Sequence, residues 1–186
     1  MLDYHVDMAR NKRDVEPAIK REQIEEAACA LFLAEGYDAT SMATVAREAG
    51  VAPNTLYWYF ASKDDLLVAV LDRLVGQSMG VMADKQQAPL SEQLACLLGE
   101  FQQMRQLIST VHARLDQSDT IREWHDRFHA MLDDMLVHQM VSKGMTPAKA
   151  HMMATVGTYV VEGLLSHPHT AQQFDKITRW LTGQLK

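Results

Sequence analysis

Apolar positions recur along the chain at spacings of three and four, and no stretch alternates apolar with polar residues under β-branched enrichment. This pattern predicts an all-α fold. Ile24, Ala27, Ala28, Leu31 and Phe32 stripe a first helix, expected to open at Pro17, where a missing N–H costs nothing, and to stop at Gly36. Thr40 and Ser41 cap a short second helix, MATVAREA, which ends at Gly50, and Pro53 opens a third. Two short helices joined by a turn of three or four residues with a glycine make a helix-turn-helix pattern, here residues 41–60. Ser62 and Asp65 supply a capping-box variant for a fourth helix striped by Leu66, Leu67, Val70, Leu71, Leu74 and Val75.

The pattern loosens between Gly76 and Pro89, which places a domain boundary after residue 78. A flexible arm of residues 1–16 and an N-terminal three-helix helix-turn-helix domain of residues 17–78 are therefore followed by a C-terminal helical domain of residues 79–186. There, Leu90, Leu94, Leu97, Leu98, Phe101 and Met104 mark one helix, and Ile108, Val111 and Leu115 a shorter one. Thr120 with Glu123 reads as a capping box for a long helix through Trp124, Phe128, Met131, Leu132, Met135, Leu136 and Met140, closed by Gly144. The last two helices start at Thr146-Pro147 and at Thr170 with Gln173. Ala150, Ala154, Gly157 and Val161 line one edge of the first, and its interior glycine costs about 1 kcal/mol that close packing must offset. The edge predicts a symmetric four-helix dimer interface with Ala150, Ala154, Gly157, Val161, Phe174, Ile177 and Leu181 in it; packing within the chain is the alternative.

Hydrophobic residues make up 47% and charged residues 23% of 186, the balance of a globular protein. No apolar run reaches the roughly 18 residues that span a bilayer. The start, MLDYHVDMARNKRDVE, has no apolar core of a secretory signal, so a cytoplasmic protein without a membrane partner is expected. Cys29 and Cys96 fall in helical apolar patterns, as buried thiols do. The net charge of −6 opposes a nucleic-acid partner, and residues 1–75 hold eight bases against thirteen acids. Five of those bases nevertheless lie between Arg10 and Arg21 and form a local basic arm.

The stretch Val51 to Phe60, VAPNTLYWYF, puts four aromatics in consecutive positions, Tyr57 to Phe60. On a helix from Pro53, Leu56 and Phe60 share a core-facing side, Tyr57 and Tyr59 flank it, and Asn54, Thr55 and Trp58 point largely away. Exposed hydroxyl and indole donors reach phosphate oxygens, and short polar groups suit base edges in a major groove. The run TSMATVAREAGVAPNTLYWYFASKDDLL, within a match over residues 17–78, resembles the DNA-binding domain of the TetR family of transcriptional repressors. That resemblance implies base and phosphate contacts by Pro53, Asn54, Thr55, Tyr57 and Trp58, phosphate contacts by Tyr59 and Lys63, and backbone docking at Thr40 and Ser41. Two departures stand out: Ala52 replaces a frequent serine cap, and Ala43 a polar side chain that reads bases in some members. Met8, before ARNKR, resembles a start context, so residues 1–7 are expected to be dispensable.

The resemblance also implies a homodimer on a double-stranded palindromic operator, released by a small molecule in the C-terminal domain, with no cofactor. Its expected lining is Phe101, Met104, Trp124, Phe128, Met131, Met135, Met152 and Tyr159, punctuated by His112, His125 and Glu162. Twelve methionines suit an adaptable lipophilic pocket; a plain helical core is the alternative. His125 and His129 stand four apart with metal-ligand spacing, yet no partner with matching spacing is evident, so no metal site is assigned and a metal-responsive regulator is retained as an alternative. A protein that keeps the fold but binds little DNA is the other. No nucleophile elbow, phosphate loop, zincin helix or carboxylate pair points to an enzyme.

Overall fold

The computed structural model describes residues 4–184, and among them the fold is all helical. The helices are α1 (Tyr4–Ala34), α2 (Met42–Glu48), α3 (Pro53–Tyr59), α4 (Lys63–Asp84), α5 (Leu90–Gln103), α6 (Arg105–Arg114), α7 (Asp119–Ser142), α8 (Pro147–Ser166) and α9 (Ala171–Gly183). Helix α1 begins upstream of the expected start and carries Pro17 inside it. A proline removes one helical hydrogen bond, and the strong helix formers around it, Arg13, Glu16, Ala18 and Lys20, favour continuing the helix. The side chains of the basic arm, Arg10, Lys12 and Arg13, and the first three residues lie outside the described residues.

The chain divides into two compact units between Arg73 and Leu74, inside α4. That helix runs through Gly76 and Gly80, where a break was expected, to Asp84. Burial of Leu74, Ser78 and Met82 on the same stretch offsets the glycines. By length and composition α4 also qualifies as a membrane-crossing helix, which the sequence count of apolar runs did not reveal. Its Leu66, Leu67, Val70 and Leu71 are buried in the protein, as in any core helix.

In the N-terminal unit, Ile24, Ala28 and Phe32 of α1, Val45 and Ala46 of α2, Leu56 of α3, and Phe60, Leu66, Leu67 and Val70 are all buried. Each large side chain contributes about 1.5–3 kcal/mol by leaving water. The turn between α2 and α3 has a specific cause. Gly50 takes φ +66°, the Val51 amide donates to the Ala46 carbonyl at 2.9 Å and the Gly50 amide to that of Arg47 at 3.2 Å. This is a Schellman closure, which needs a left-handed residue at that point. Ser62 opens α4 as expected: the Asp65 amide donates to its hydroxyl oxygen at 3.1 Å, and the hydroxyl donates to the Asp65 carboxylate at 2.7 Å.

In the C-terminal unit α7 packs on α8, α5 on α9, and α6 on α5, α7 and α8. Met82, Leu97, Phe101, Leu132 and Leu165 form its main core. Helix α7 is capped by Ser118, which accepts from the Ile121 amide at 3.4 Å, and not by Thr120. The earlier cap puts Asp119 in the first turn, where a negative charge meets the positive end of the helix dipole. Gly144, at φ +96°, closes α7 as anticipated. Thr170 and Gln173 form the expected reciprocal box, at 2.8 and 3.2 Å.

The small-residue edge of α8 departs from the interface expected of it. Ala150 and Ala154 are buried inside the unit with Met140, flanked by Leu136, Val137, Met145 and Met153, and Leu181 is buried too. Residues covered by their own chain have no surface left for a second copy, so at Ala150, Ala154 and Leu181 the packing is within the chain. Gly157, Val161 and Phe174 are half-buried and Ile177 is exposed.

Gly50→Ala tests the turn. A Cβ there meets nothing within 4 Å, so the cost is left-handed backbone alone, about 1–2 kcal/mol. Denaturant unfolding followed by circular dichroism should show that loss.

Candidate nucleic-acid interface and C-terminal histidine cluster

Helix α3 is held by Leu56 and by Phe60 just beyond its end, both buried. The remaining positions then face outward by helical geometry. Trp58 is 74% exposed and Tyr57 53%, Pro53 and Asn54 are exposed, and Thr55 and Tyr59 are half-buried. Trp58 meets Tyr59 edge-on at 4.7 Å between ring centroids, which orders the outer surface. Ala52 stands at the N-cap without a side-chain bond, and Pro53 follows at the first helical position, where its lack of an N–H removes one orphan donor.

Ser41 accepts from the Thr44 amide at 3.0 Å and stays exposed at the start of α2. Thr40, expected beside it at the interface, is buried, and its hydroxyl donates to the Gly36 carbonyl at 2.9 Å. Its side chain is thus committed to the α1–α2 loop. Lys63 lies over the Tyr37 ring at 4.0 Å, and the Tyr37 hydroxyl donates to Asp64. Tyr37, which the sequence reading passed over, therefore fixes the start of α4 from below.

Most described bases near this surface already have acidic neighbours. Lys20 pairs with Glu16 at 3.3 Å, Arg21 with Glu25 at 2.8 Å, and Arg73 with Glu22 at 3.7 Å. Arg21 also stands over the Phe60 ring at 4.8 Å. Such exposed pairs are worth about 0–1 kcal/mol in stability, but they remove positive potential. Arg47, exposed in the last turn of α2, makes no ion pair with the described residues.

In the C-terminal unit, Phe101, Met104, Phe128 and Met135 come together around the main core. Trp124 stacks on Phe128 at 5.2 Å and Phe101 meets it at 6.1 Å. The other expected lining residues do not join them: Met131 is exposed, Met152 is 65% exposed and Tyr159 70%. Helical spacing marked these positions as apolar without revealing which face each occupied. A concavity of about 470 Å³ lies elsewhere, lined by Gln102, Arg105, Gln106, Ser109, Leu165 and Ser166 among others. Beside it Arg105 Nε donates to the Leu165 carbonyl at 2.8 Å and Nη2 to that of His167 at 3.1 Å, closing the end of α8. Cys29 and Cys96 are half-buried, free thiols, and burial pushes the Cys29 pKa up.

The polar residues expected among that lining converge more tightly. His112 of α6, His125 and His129 of α7 and Glu162 of α8 place one donor atom each within 4.8 Å of all the others. Glu162 Oε1 is 3.1 Å from His129 Nε2 and 3.8 Å from His112 Nε2. The partners for His125 and His129 thus come from two other helices, which spacing along one helix does not show. Burial lowers the pKa of His112 and of His129, and Glu162 opposes that shift in both. His125 Nε2 is buried with no hydrogen-bond partner; leaving such a group unpaired costs about 1–3 kcal/mol.

Two short helices locked at a glycine turn, with a polar aromatic face outward, make a helix-turn-helix unit, and a separate helical unit follows it in sequence. Residues 24–70 match the family profile described as bacterial regulatory proteins, tetR family. Among relatives, the chain is 27% identical to the HTH-type transcriptional regulator SrpR of Pseudomonas putida over 89% of its own length and 84% of that protein's. It is 32% identical to the fatty acid metabolism regulator protein of Bacillus subtilis over 42% of this chain, which spans 41% of that relative. A TetR transcriptional regulator from Legionella pneumophila shares the fold at a TM-score of 0.71 and 18% identity, covering 89% of this chain and 96% of that one. The multidrug binding protein EbrR, solved with imidazole, shares it at 0.63 and 22%, over 89% and 94%. Residues 24–70 therefore form a helix-turn-helix domain of the tetR type, and the chain shares the fold of TetR-type regulators over 89% of its length.

The anchoring and outward positions of α3 separate in stability measurements. Leu56→Ala should cost about 2–5 kcal/mol, as buried leucines do. Trp58→Ala should stay within about 0.5 kcal/mol of the parent in the same urea titration.

Proposed function

We propose that the protein is a cytoplasmic, homodimeric repressor that occupies a palindromic operator and leaves it when a small lipophilic molecule enters the C-terminal unit. Residues 17–78 carry the DNA-binding function and residues 79–186 the effector and dimer functions. The observation that carries this reading is the division of α3 into a buried anchor, Leu56, and an outward face of Asn54, Tyr57 and Trp58. Asn54 and Thr55 read bases, Pro53, Tyr57 and Trp58 lie against the groove, and Ser41, Tyr59 and Lys63 meet phosphates. Thr40 serves from beneath, through its bond to Gly36.

The aromatic and methionine cluster around Phe101 and Phe128 supports a lipophilic effector. So do the names of two relatives, a fatty acid metabolism regulator and a multidrug binding protein. Effector binding acts through unequal affinity for the DNA-competent and released states.

For dimerisation the exposed apolar stripe on α8, Met152, Val156 and Tyr159, with Ile177 and Trp180 of α9, replaces the buried alanines as the self-complementary surface. A Cβ at Gly157 meets nothing within 4 Å in the chain, so this neighbour of the stripe also has room for a second copy.

Selection of bound fragments from a random DNA pool at two salt concentrations tests the operator. A palindrome with half-sites about 10 base pairs or a multiple apart is expected, Asn54→Ala should cost about 1–3 kcal/mol of affinity, and Lys63→Ala should flatten the salt dependence by about one unit of slope. No enriched sequence even at low salt refutes the DNA-binding role. In sedimentation, Met152→Glu/Tyr159→Glu should convert a dimer into a 21.0 kDa monomer; an unchanged dimer would place the interface elsewhere.

A further inference from the structure

We propose that His112, His125, His129 and Glu162 form a binding site for one divalent first-row transition ion of the zinc class in the C-terminal unit. The site rests on the regulator reading only for its consequence, that the ion alters operator affinity; ion binding itself stands apart from it.

The donor set is three imidazoles and one carboxylate, the borderline nitrogen and oxygen mixture that zinc-class ions take. Magnesium and calcium prefer sites built from oxygen and are not expected here. In a tetrahedral site with metal–nitrogen bonds of about 2.0–2.1 Å, neighbouring donors lie about 3.3 Å apart. His129 Nε2 and Glu162 Oε1 already stand at 3.1 Å, and the whole set lies within 4.8 Å. Side-chain movements of about 1 Å complete the geometry.

A hydrogen-bonded pair of His129 with Glu162, joined by His112, would account for three of the four residues. It does not account for His125. Its Nε2 is buried and unpartnered, while its Nδ1 is 3.5 Å from the Asp126 carboxylate. A tautomer carrying its proton on Nδ1, beside that carboxylate, leaves the Nε2 lone pair free for a metal. The rings of His125 and His129 are 4.2 Å apart and those of His112 and His125 5.4 Å, so three imidazoles crowd around a single carboxylate. An ion at their centre converts that crowding into coordination. Because the donors come from α6, α7 and α8, the ion also ties three helices of one unit together and favours the conformation in which they are closest.

The full-length protein, stripped with EDTA and desalted, is titrated with Zn²⁺ against a chromophoric chelator. One ion per chain is expected, with a dissociation constant on the order of 10⁻⁷ M or tighter and a rise in melting midpoint of about 5 °C at saturation. His125→Ala and Glu162→Gln should each weaken binding by at least about tenfold, whereas His138→Ala, an exposed histidine on α7, should not. Co²⁺ in place of Zn²⁺ should give the intense visible absorption of a tetrahedral site, lost in His125→Ala. The melting midpoint of each ion-free variant shows whether it still folds, and Glu162→Gln remains as the test should His125→Ala unfold. Absence of stoichiometric binding, or binding unchanged in every folded cluster variant, overturns the site. Operator affinity with and without Zn²⁺ is read separately: failure to bind any operator refutes the DNA reading and leaves the ion site standing.

Discussion

Helix α3 is two turns long, and seven residues do not hold a helix in water by themselves. Everything the N-terminal unit presents depends on how that shortage is met. Leu56 and Phe60 fix one side into the core, and the closure at Gly50 sets the angle at which α3 leaves α2. Pro53 limits the backbone freedom of the first turn. With its inner side committed, the helix has no remaining use for Tyr57 and Trp58 in its own packing, which is why two large aromatics stay in water.

Local chemistry was legible at several single residues, though not at Pro17, which lies inside α1. Pro53, Gly50, Gly144, Ser62 and Thr170 each mark an element boundary through a constraint that needs no tertiary information. Periodicity was a weaker guide, because it announces a covered face without naming the cover. The α8 alanines read as a surface for a second copy, with packing inside the chain as the alternative, and Met140 of α7 occupies the place. The cap of α7 slid from Thr120 to Ser118 for a related reason: several adjacent residues could cap, and the geometry of the preceding turn chose among them. The histidine cluster lay beyond reach of spacing because its members converge from three helices.

Charge bears directly on the proposed DNA-binding role. Its formal charge is −6, and Lys20, Arg21 and Arg73 each have a carboxylate close by. Long-range attraction to a polyanion is therefore small. On the proposed reading, recognition draws on short-range donors, the tyrosine hydroxyls, the indole and the amide of Asn54, which act only once the surfaces touch. A DNA-binding protein so arranged would gain little from sliding along arbitrary sequence and would depend on the fit at its own site.

The three tryptophans stand in three different surroundings. Trp58 projects from α3 into water, Trp124 is stacked on Phe128 in the interior, next to His125 in sequence, and Trp180 is 58% exposed on α9. The native emission of the protein is accordingly a composite of two solvated indoles and one shielded one. Contact at α3, rearrangement around the histidines and coverage of α9 each perturb a different component, so the chain carries its own set of optical probes with no label added.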